Sequence, residues 1–227
     1  MAYNTTPVAL YRACNPVKTV YFCTSNTGKF NEVKRILEPQ FSVFQIRLEL
    51  EELQSIDTEY VCRHKIKHAI VQITENDTIG GHSIGENYVL LVEDTGLEIE
   101  NMNGFPGALV KFYLDYLKPE GICKFNAGSL ASMHVTMVAY FSDTKEIWAH
   151  THKVPGLITE WPKGIQGFGF DSVFECIQHP DNLTLAQMMP EVKQDYSARS
   201  ACAVELKKIL TMNTVCTDIE SPTQCKQ

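Results

Sequence analysis

A turn near the amino terminus holds the residue types that bind an anion. In the stretch VYFCTSNTGKFNEVKRIL, from Val20 to Leu37, an apolar run gives way to a helical pattern across small polar residues and a Gly-Lys pair. The first N–H groups of a helix lack carbonyl partners and the helix dipole adds partial positive charge, so such a turn favours an anion, usually a phosphate. Thr24, Asn26 and Lys29 would add short polar groups and a full charge. Taken alone, the stretch fits a capped loop without a ligand equally well.

Carboxylates and a further lysine occur in the middle of the chain. Glu93, Asp94 and Thr95 follow the buried run YVLLV, and Lys111 lies on the helix predicted after Pro106-Gly107. A carboxylate at the carboxyl end of a strand suits a magnesium ion or the edge of a ligand cleft. Solvated turn residues are the competing interpretation of the same pair.

A glycine-rich stretch later in the chain combines aromatic and acidic residues. In GIQGFGFDSVFE, glycines and phenylalanines surround Asp171. Aromatic rings of this kind can stack on a nucleobase. They can equally be core phenylalanines beside a tight turn, and the stretch alone does not separate the two.

The hydrophobic periods that must position these residues alternate between strand and helix. They indicate an α/β fold, a twisted mixed β-sheet flanked by helices. Strands are predicted at 20–24, 88–92, 132–141 and 146–153, with a separate short strand at Leu97 and Ile99 after a turn. Helices are predicted from the opening turn to Pro39, over about 58–73 with Ser55 or Asp57 as N-cap, after Pro106-Gly107 as far as Lys118-Pro119, and around Cys202 to Leu210.

Length and charge exclude several classes of protein. The 227 residues, 44% of them apolar, allow one large domain or two small lobes, and we expect a domain at 18–212 between an extension at 1–17 and a polar tail at 213–227. No segment approaches the roughly 20 apolar residues of a membrane span, and a secretory signal is not evident. The net charge of −7 disfavours a nucleic-acid partner. We therefore expect a cytoplasmic protein without a nucleic-acid or membrane partner.

Cysteines and histidines do not form a recognisable metal motif. The eight cysteines are never closer than nine residues apart, which predicts reduced and mostly buried thiols. His64 and His68 are four residues apart on the predicted second helix, and His150 and His152 share one face of a strand. Either spacing would permit a transition-metal site, but no third ligand accompanies either pair at a useful spacing, so we do not expect bound zinc.

The three motifs above and a fourth near the end of the chain, which contains Ser197-Ala198-Arg199, together resemble those of the inosine triphosphate pyrophosphatase family, also called the Ham-type family, and they occur in that family's order. The resemblance runs from about Thr19 to Leu210, which is most of the chain. It implies two lobes around a central substrate cleft. It also implies hydrolysis of ITP, dITP and XTP to the monophosphate and pyrophosphate, with Mg²⁺ as cofactor and Mn²⁺ as a substitute.

The resemblance assigns roles to residues that match the family's motifs. The implied phosphate contacts are Thr24, Asn26, Lys29, Lys65, Thr95 and Lys111, and the implied metal ligands are Glu52 and Asp94. The implied base-binding strip is Phe168, Gly169, Phe170 and Asp171, followed by a closing motif of Lys193, Ser197 and Arg199. The register at Glu52 is open by about one residue because Glu49 and Glu51 are close by. Asp94 and Lys65 would act in catalysis, with either Asp94 or Glu93 activating the attacking water.

The closing motif departs from the family pattern at one position. The family has Ser-His-Arg, whereas this chain has Ser197-Ala198-Arg199. In the family, the histidine and arginine help to recognise the 6-oxo edge of the base. A methyl group donates no hydrogen bond, and a neutral hydrogen bond contributes about 0.5–1.5 kcal/mol, so the resemblance implies relaxed base selectivity.

Two other functions stay open at this point. One is a non-catalytic nucleotide-binding protein that has lost hydrolysis, with Ala198 as the sign of that change. The other is a Maf-type pyrophosphatase that acts on other triphosphates, for which the motifs fit less well. The resemblance further implies a homodimer. Some plant RNA viruses encode such a domain within a polyprotein, and a tail that ends in Gln227 is compatible with release by a glutamine-specific protease.

Overall fold

The computed structural model describes residues 19–51, 53–75, 78–79, 82–85 and 87–215 of the chain. The predictions for the extension at 1–17, for nearly all of the polar tail and for Glu52 lie outside these residues. Within the described part, a seven-stranded mixed sheet is flanked by five α-helices, which confirms the predicted α/β class. None of the described helices combines the length and apolar character needed to cross a bilayer.

The sheet changes from parallel to antiparallel across its width. Its strands are β1 (Thr19–Cys23), β2 (Ser42–Ile46), β5 (Tyr88–Ile99), β6 (Pro106–Gly107), β7 (Leu130–Phe141), β8 (Ile147–Ile158) and β9 (Phe174–Cys176), and a separate hairpin is formed by β3 (Thr78–Ile79) and β4 (His82–Ser83). The order is β2-β1-β5-β7-β8-β9, with β6 also paired to β5. Strands β2, β1 and β5 run parallel, and the other pairs are antiparallel.

Helices cover both faces of the sheet. They are α1 (Thr27–Leu37), α2 (Thr58–Thr74), α3 (Val110–Asn126), α4 (Pro190–Tyr196) and α5 (Ala198–Val215). Alternate residues of a strand point to opposite faces, and β1 follows that rule. Val20 and Phe22 belong to a main core shared with α1, α3 and α5, whereas Tyr21 and Cys23 belong to a second core under α2. Asp57 caps α2 as predicted, accepting the N–H of Glu59 at 2.9 Å.

Strand β5 is continuous where the sequence predicted a break. Leu97 and Ile99 were expected on a separate short strand, but β5 pairs with β7 without interruption, and the pairing includes Asp94 with Thr136. Gly96 makes this possible, because a Cβ atom there would lie 2.2 Å from His134 Nε2. Strand β1 pairs with β5 only as far as Leu91. The acidic residues of β5 therefore project beyond the end of β1, where a cleft can open.

Helix α3 also differs from its prediction at both ends. Pro106-Gly107 was expected to open the helix but forms β6 on the edge of β5, and its neighbour Ala108 donates its N–H to the carbonyl of Ile56 at 3.0 Å. The helix begins at Val110. It changes direction at Lys118, with φ 60° and ψ 167°, and continues beyond Pro119 to Asn126. A proline is tolerated there because it starts the first turn of a new helical segment.

The described cysteines confirm the predicted thiols. Cys23, Cys62, Cys123, Cys176 and Cys202 are all free and buried. Burial raises the pKa of the Cys202 thiol to about 12, which keeps it protonated at neutral pH. These side chains act as small apolar groups of the cores, and Cys14, Cys216 and Cys225 lie outside the described residues.

Candidate active site

The opening turn joins β1 to the amino terminus of α1. Asn26 is the N-cap of α1, and its side-chain oxygen accepts the N–H of Lys29 at 3.1 Å. Thr24 Oγ1 in turn accepts the N–H of Asn26 at 3.1 Å, which fixes the shape of the turn. A Cβ atom at Gly28 would lie 2.5 Å from the ring of Phe168, so glycine at this position lets the aromatic ring close against the helix terminus.

Glu93 is the central anion of the site. Its side chain is 1% exposed and its two oxygens contact Lys29 Nζ at 2.5 Å and Arg199 Nε at 2.6 Å. The hydroxyl of Thr95 donates to the same carboxylate at 3.1 Å. Burial acts to raise the pKa of Glu93, but Arg199 and Lys29 outweigh it and lower the pKa to about 2. Glu93 is therefore a fixed, fully ionised counter-ion.

Asp94 has a different environment on the same strand. Lys65 Nζ donates to its Oδ1 at 2.9 Å, whereas Oδ2 is buried without a hydrogen-bond partner among the described residues. Burial raises the pKa of Asp94 even though Lys65 opposes the change. A buried carboxylate oxygen without a partner is costly unless it binds a cation, a proton or a water molecule. Asp94 Oδ2 is thus the oxygen to which a cation, a proton or a water molecule can bind.

Glu32 is a site residue that the sequence analysis missed. It lies on α1, one turn after Lys29, and its two oxygens contact Lys193 Nζ at 2.7 Å and Arg199 Nη1 at 2.6 Å. Burial acts to raise the pKa of Glu32, but Arg199 and Lys193 hold it below its usual value. The i, i+3 spacing from Lys29 places Glu32 near the same face of α1, and that was the available signal.

The glycine-rich stretch brings an aromatic ring over this ionic network. The ring centroid of Phe168 lies 4.8 Å from Lys193 Nζ and 5.5 Å from the guanidinium carbon of Arg199. The N–H of Phe168 donates to Asp171 at 2.8 Å, and Lys193 contacts the same oxygen at 2.7 Å. Burial raises the pKa of Asp171, with Lys193 acting in the opposite direction. Phe170, in contrast, is 6% exposed and packs edge-on against Phe174 in the main core.

One cavity of about 500 Å³ collects the predicted residues from all four motifs. Its lining includes Thr24, Asn26, Lys29, Lys65, Asp94, Thr95, Lys111, Phe168, Gly169, Phe170, Asp171, Lys193, Ser197 and Arg199. Leu48, Leu50 and Phe112 add an apolar wall. Ala198, in contrast, has no exposed surface and belongs to the main core. The structure therefore brings together every predicted site residue that it describes, with lysines of four elements facing one space.

Comparison with known proteins covers the same part of the chain. A sequence model described as the Ham1 family matches residues 20–209. The inosine triphosphate pyrophosphatase of Kluyveromyces lactis is 30% identical over 203 residues, 86% of this chain and 97% of that protein. The dITP/XTP pyrophosphatase of Methanopyrus kandleri is 31% identical over 184 residues, 80% of this chain and 90% of that protein.

A solved structure supports the fold alone. A HAM1 protein from Coxiella burnetii superposes with a TM-score of 0.68 at 19% identity, and the match covers 86% of this chain and all of that one. The shared architecture therefore extends over the mixed sheet and the helices that surround the cavity.

Proposed function

The chain belongs to the Ham1 family, and we propose that it hydrolyses purine nucleoside triphosphates with non-standard bases, namely ITP, dITP and XTP, to the monophosphate and pyrophosphate. This makes it a hydrolase acting on acid anhydrides, within a domain at 18–212. The names of its relatives support that substrate class. The observation that carries the proposal is the convergence of cationic side chains from separate motifs on one cavity.

The triphosphate is assigned to the cationic side of this cavity. Lys29 stands in the first turn of α1, where the helix dipole adds to its charge. Lys65 and Lys111 approach from α2 and α3, and Lys193 approaches from α4. Ammonium groups placed around a polyphosphate balance its charge and hold it for in-line attack by water.

A divalent ion fits the donor atoms that the chain offers. Asp94 Oδ2, which has no hydrogen-bond partner among the residues that the structure describes, is a carboxylate oxygen of the type that Mg²⁺ prefers, and Mn²⁺ accepts similar ligands. We propose Asp94 as one ligand and Glu52 as the other, Glu52 lying outside the described residues. When bound, such an ion neutralises phosphate charge and polarises the reacting phosphorus.

The two neighbouring carboxylates suit different tasks. Both oxygens of Glu93 are held by cations and its pKa is about 2, so it is a weak proton acceptor. Asp94 has a raised pKa and an oxygen without a hydrogen-bond partner in the described part of the chain, which suit it better to orienting or deprotonating the attacking water. Lys65 would hold Asp94 in position through Oδ1.

We assign the nucleobase to a position stacked on the aromatic ring of Phe168. Arg199 is already fixed there, because its guanidinium contacts Glu93, Glu32 and Thr95. Base recognition would thus rest on a preorganised arginine together with Lys193 and Asp171. Ala198 cannot supply the hydrogen bond expected from the family's histidine, and we propose that selectivity against adenine is weaker as a result.

Pyrophosphate release from ITP, XTP, dUTP and ATP, with and without Mg²⁺, tests this function. We expect magnesium-dependent turnover of ITP and XTP. The ITP-to-ATP ratio of kcat/KM should be about threefold to tenfold smaller than in a relative that carries the histidine, measured alongside. Binding of ITP without turnover of any triphosphate would support the non-catalytic alternative. A preference for dUTP would support a Maf-type activity.

We also propose that the protein is a cytoplasmic homodimer. Helix α3 leaves large apolar residues in contact with solvent outside the cavity, with Tyr116 88% and Phe125 61% exposed. Exposed aromatic residues are enriched at protein interfaces. Light scattering coupled to size exclusion should give twice the monomer mass, and Tyr116→Lys should shift the protein to the monomer. A wild-type monomer at micromolar concentration would contradict the proposal.

A further inference from the structure

A three-residue cluster outside the cavity has the composition of a transition-metal site. Glu51, His64 and His68 each offer a ligand atom, and these atoms lie within 4.8 Å of one another. The two imidazole rings are 4.2 Å apart between centroids, and Glu51 Oε2 lies 3.7 Å from His68 Nε2. The sequence shows no third ligand at a useful spacing for this histidine pair, but the structure places Glu51 beside it from the segment before α2.

The chain path explains how the third ligand arrives. The segment that follows β2 runs along α2, since Gln72 of α2 donates to the carbonyl of Glu49 at 2.9 Å. Glu51 follows Glu49 by two residues and lies beside His68, which precedes Gln72 by about one helical turn on α2. His64 and His68 share one face of α2 because residues four apart lie above one another. The cluster is therefore formed by one helix and by a coil segment that is hydrogen-bonded to it.

The polar atoms of the cluster are incompletely paired. His64 Nδ1 is buried without a hydrogen-bond partner among the described residues. His68 and Glu51 remain reachable from solvent, with side chains 39% and 66% exposed. A buried ring nitrogen without a partner beside two accessible donor atoms is the arrangement of a site that an ion can enter and complete.

We propose that Glu51, His64 and His68 bind a transition-metal ion of the Zn²⁺ class, separately from the Mg²⁺ assigned to Asp94. Two imidazole nitrogens and one carboxylate oxygen suit Zn²⁺, Co²⁺ or Ni²⁺, whereas Mg²⁺ prefers oxygen ligands alone. Three protein ligands leave a position for water. The ligand atoms lie within 4.8 Å of one another, so contacts of about 2.0–2.2 Å to one ion need small side-chain adjustments, for which the exposed Glu51 has room.

An ion at this position would fasten the segment before α2 to the helix. Leu48 and Leu50 of that segment line the cavity, and α2 also carries Lys65 beside Asp94. A bound ion would therefore restrain the wall of the cavity that Leu48 and Leu50 help to form. Because the ion binds the folded arrangement, it also stabilises the protein by mass action.

Cobalt absorbance of the full-length protein tests the proposal independently of hydrolysis. Titration with Co²⁺ in the presence of millimolar Mg²⁺ should produce visible d–d bands that saturate at one equivalent and disappear when Zn²⁺ displaces the cobalt. Glu51→Gln and His68→Gln should each weaken Co²⁺ binding at least about tenfold, and Zn²⁺ should raise the Tm of the wild type but not that of Glu51→Gln. Glu51 is exposed, so its variant is expected to fold normally.

The second histidine pair supplies the matched control. His150 and His152 lie on β8 and are not part of a three-ligand cluster among the described residues. His152→Gln should therefore leave Co²⁺ binding unchanged. The proposal is overturned if no d–d bands appear, if Mg²⁺ displaces the ion, if sulfur charge-transfer bands show thiol ligands instead, or if His152→Gln weakens binding as much as Glu51→Gln. Loss of hydrolysis alone would not bear on it.

Discussion

Replacing Asp94 with asparagine should lower the rate of pyrophosphate release by about 10²–10³-fold and change the stability of the fold much less. The loss of rate is expected because the amide has no negative charge for a divalent ion and accepts a proton poorly. Two effects on stability oppose each other. Burial already disfavours the ionised form of Asp94, whose Oδ2 has no hydrogen-bond partner among the described residues, so removing the charge relieves a cost. Lys65 loses the charge of its partner, but an asparagine oxygen can still accept its hydrogen bond.

The two readouts are measured on the same preparation of Asp94→Asn. Steady-state assays with ITP give kcat, and thermal unfolding gives Tm. Asp143→Asn is the matched control, since Asp143 is exposed on the turn between β7 and β8 and should change neither value. Near wild-type turnover by Asp94→Asn would remove Asp94 from the mechanism, and a large fall in Tm would show that Asp94 is mainly structural.

The Glu93→Gln variant should lose about 3–5 kcal/mol of unfolding free energy. Glu93 neutralises Arg199 and Lys29, and the guanidinium of Arg199 is itself buried. A neutral amide would leave these cations without their main partner. Urea unfolding should therefore show a large decrease in the transition midpoint. The same replacement at Glu98, a half-exposed residue of β5 paired with Lys153, should cost at most about 1 kcal/mol.

The pH dependence of the stability difference between the wild type and Glu93→Gln shows whether the difference arises from lost charge. The pKa of Glu93 is about 2 in the folded state, against an ordinary value of 4.5, so its ionisation stabilises the fold above the ordinary value and the stabilisation is lost as the pH falls towards 2. The deficit of Glu93→Gln should consequently shrink by about 2 kcal/mol between about pH 7 and about pH 3. Asp94 and Asp171 have raised pKa values and act with the opposite sign. Burial is the main cause for both and Glu93 adds only a minor part at Asp94, so most of this contribution is common to both proteins. A deficit that stays constant with pH would indicate lost packing instead of lost charge.

Local signals predicted most of the fold. The strand-turn-helix unit around Asn26 and the cap at Asp57 follow from side chains that act on their own backbone, and the structure confirms both. The continuity of β5 could not be predicted from such local signals. Glu93 and Asp94 look like turn residues in a single sequence, and only the pairing with β7 keeps them extended.

The residues of the candidate site were also predicted only in part. Residues that match a motif could be named in advance, and those that the structure describes line one cavity. Glu32 matches no motif and was not named in advance. The residues that give it a role, Lys193 and Arg199, are 161 and 167 positions away along the chain. Glu51 was considered only as a neighbour of Glu52, since its approach to His68 depends on the path of the segment along α2.

The ion pairs around Glu93 have a consequence for which anions the cleft will admit. Lys29, Lys65, Lys193 and Arg199 are matched by four carboxylates, those of Glu32, Glu93, Asp94 and Asp171. The formal charges of this set cancel and Lys111 adds one further cation to the cavity, so an isolated sulfate or orthophosphate gains less than the number of lysines suggests. A polyphosphate that arrives already complexed with a divalent cation brings its own compensation. We therefore expect the cleft to bind the proposed metal–nucleotide complex in preference to simple anions.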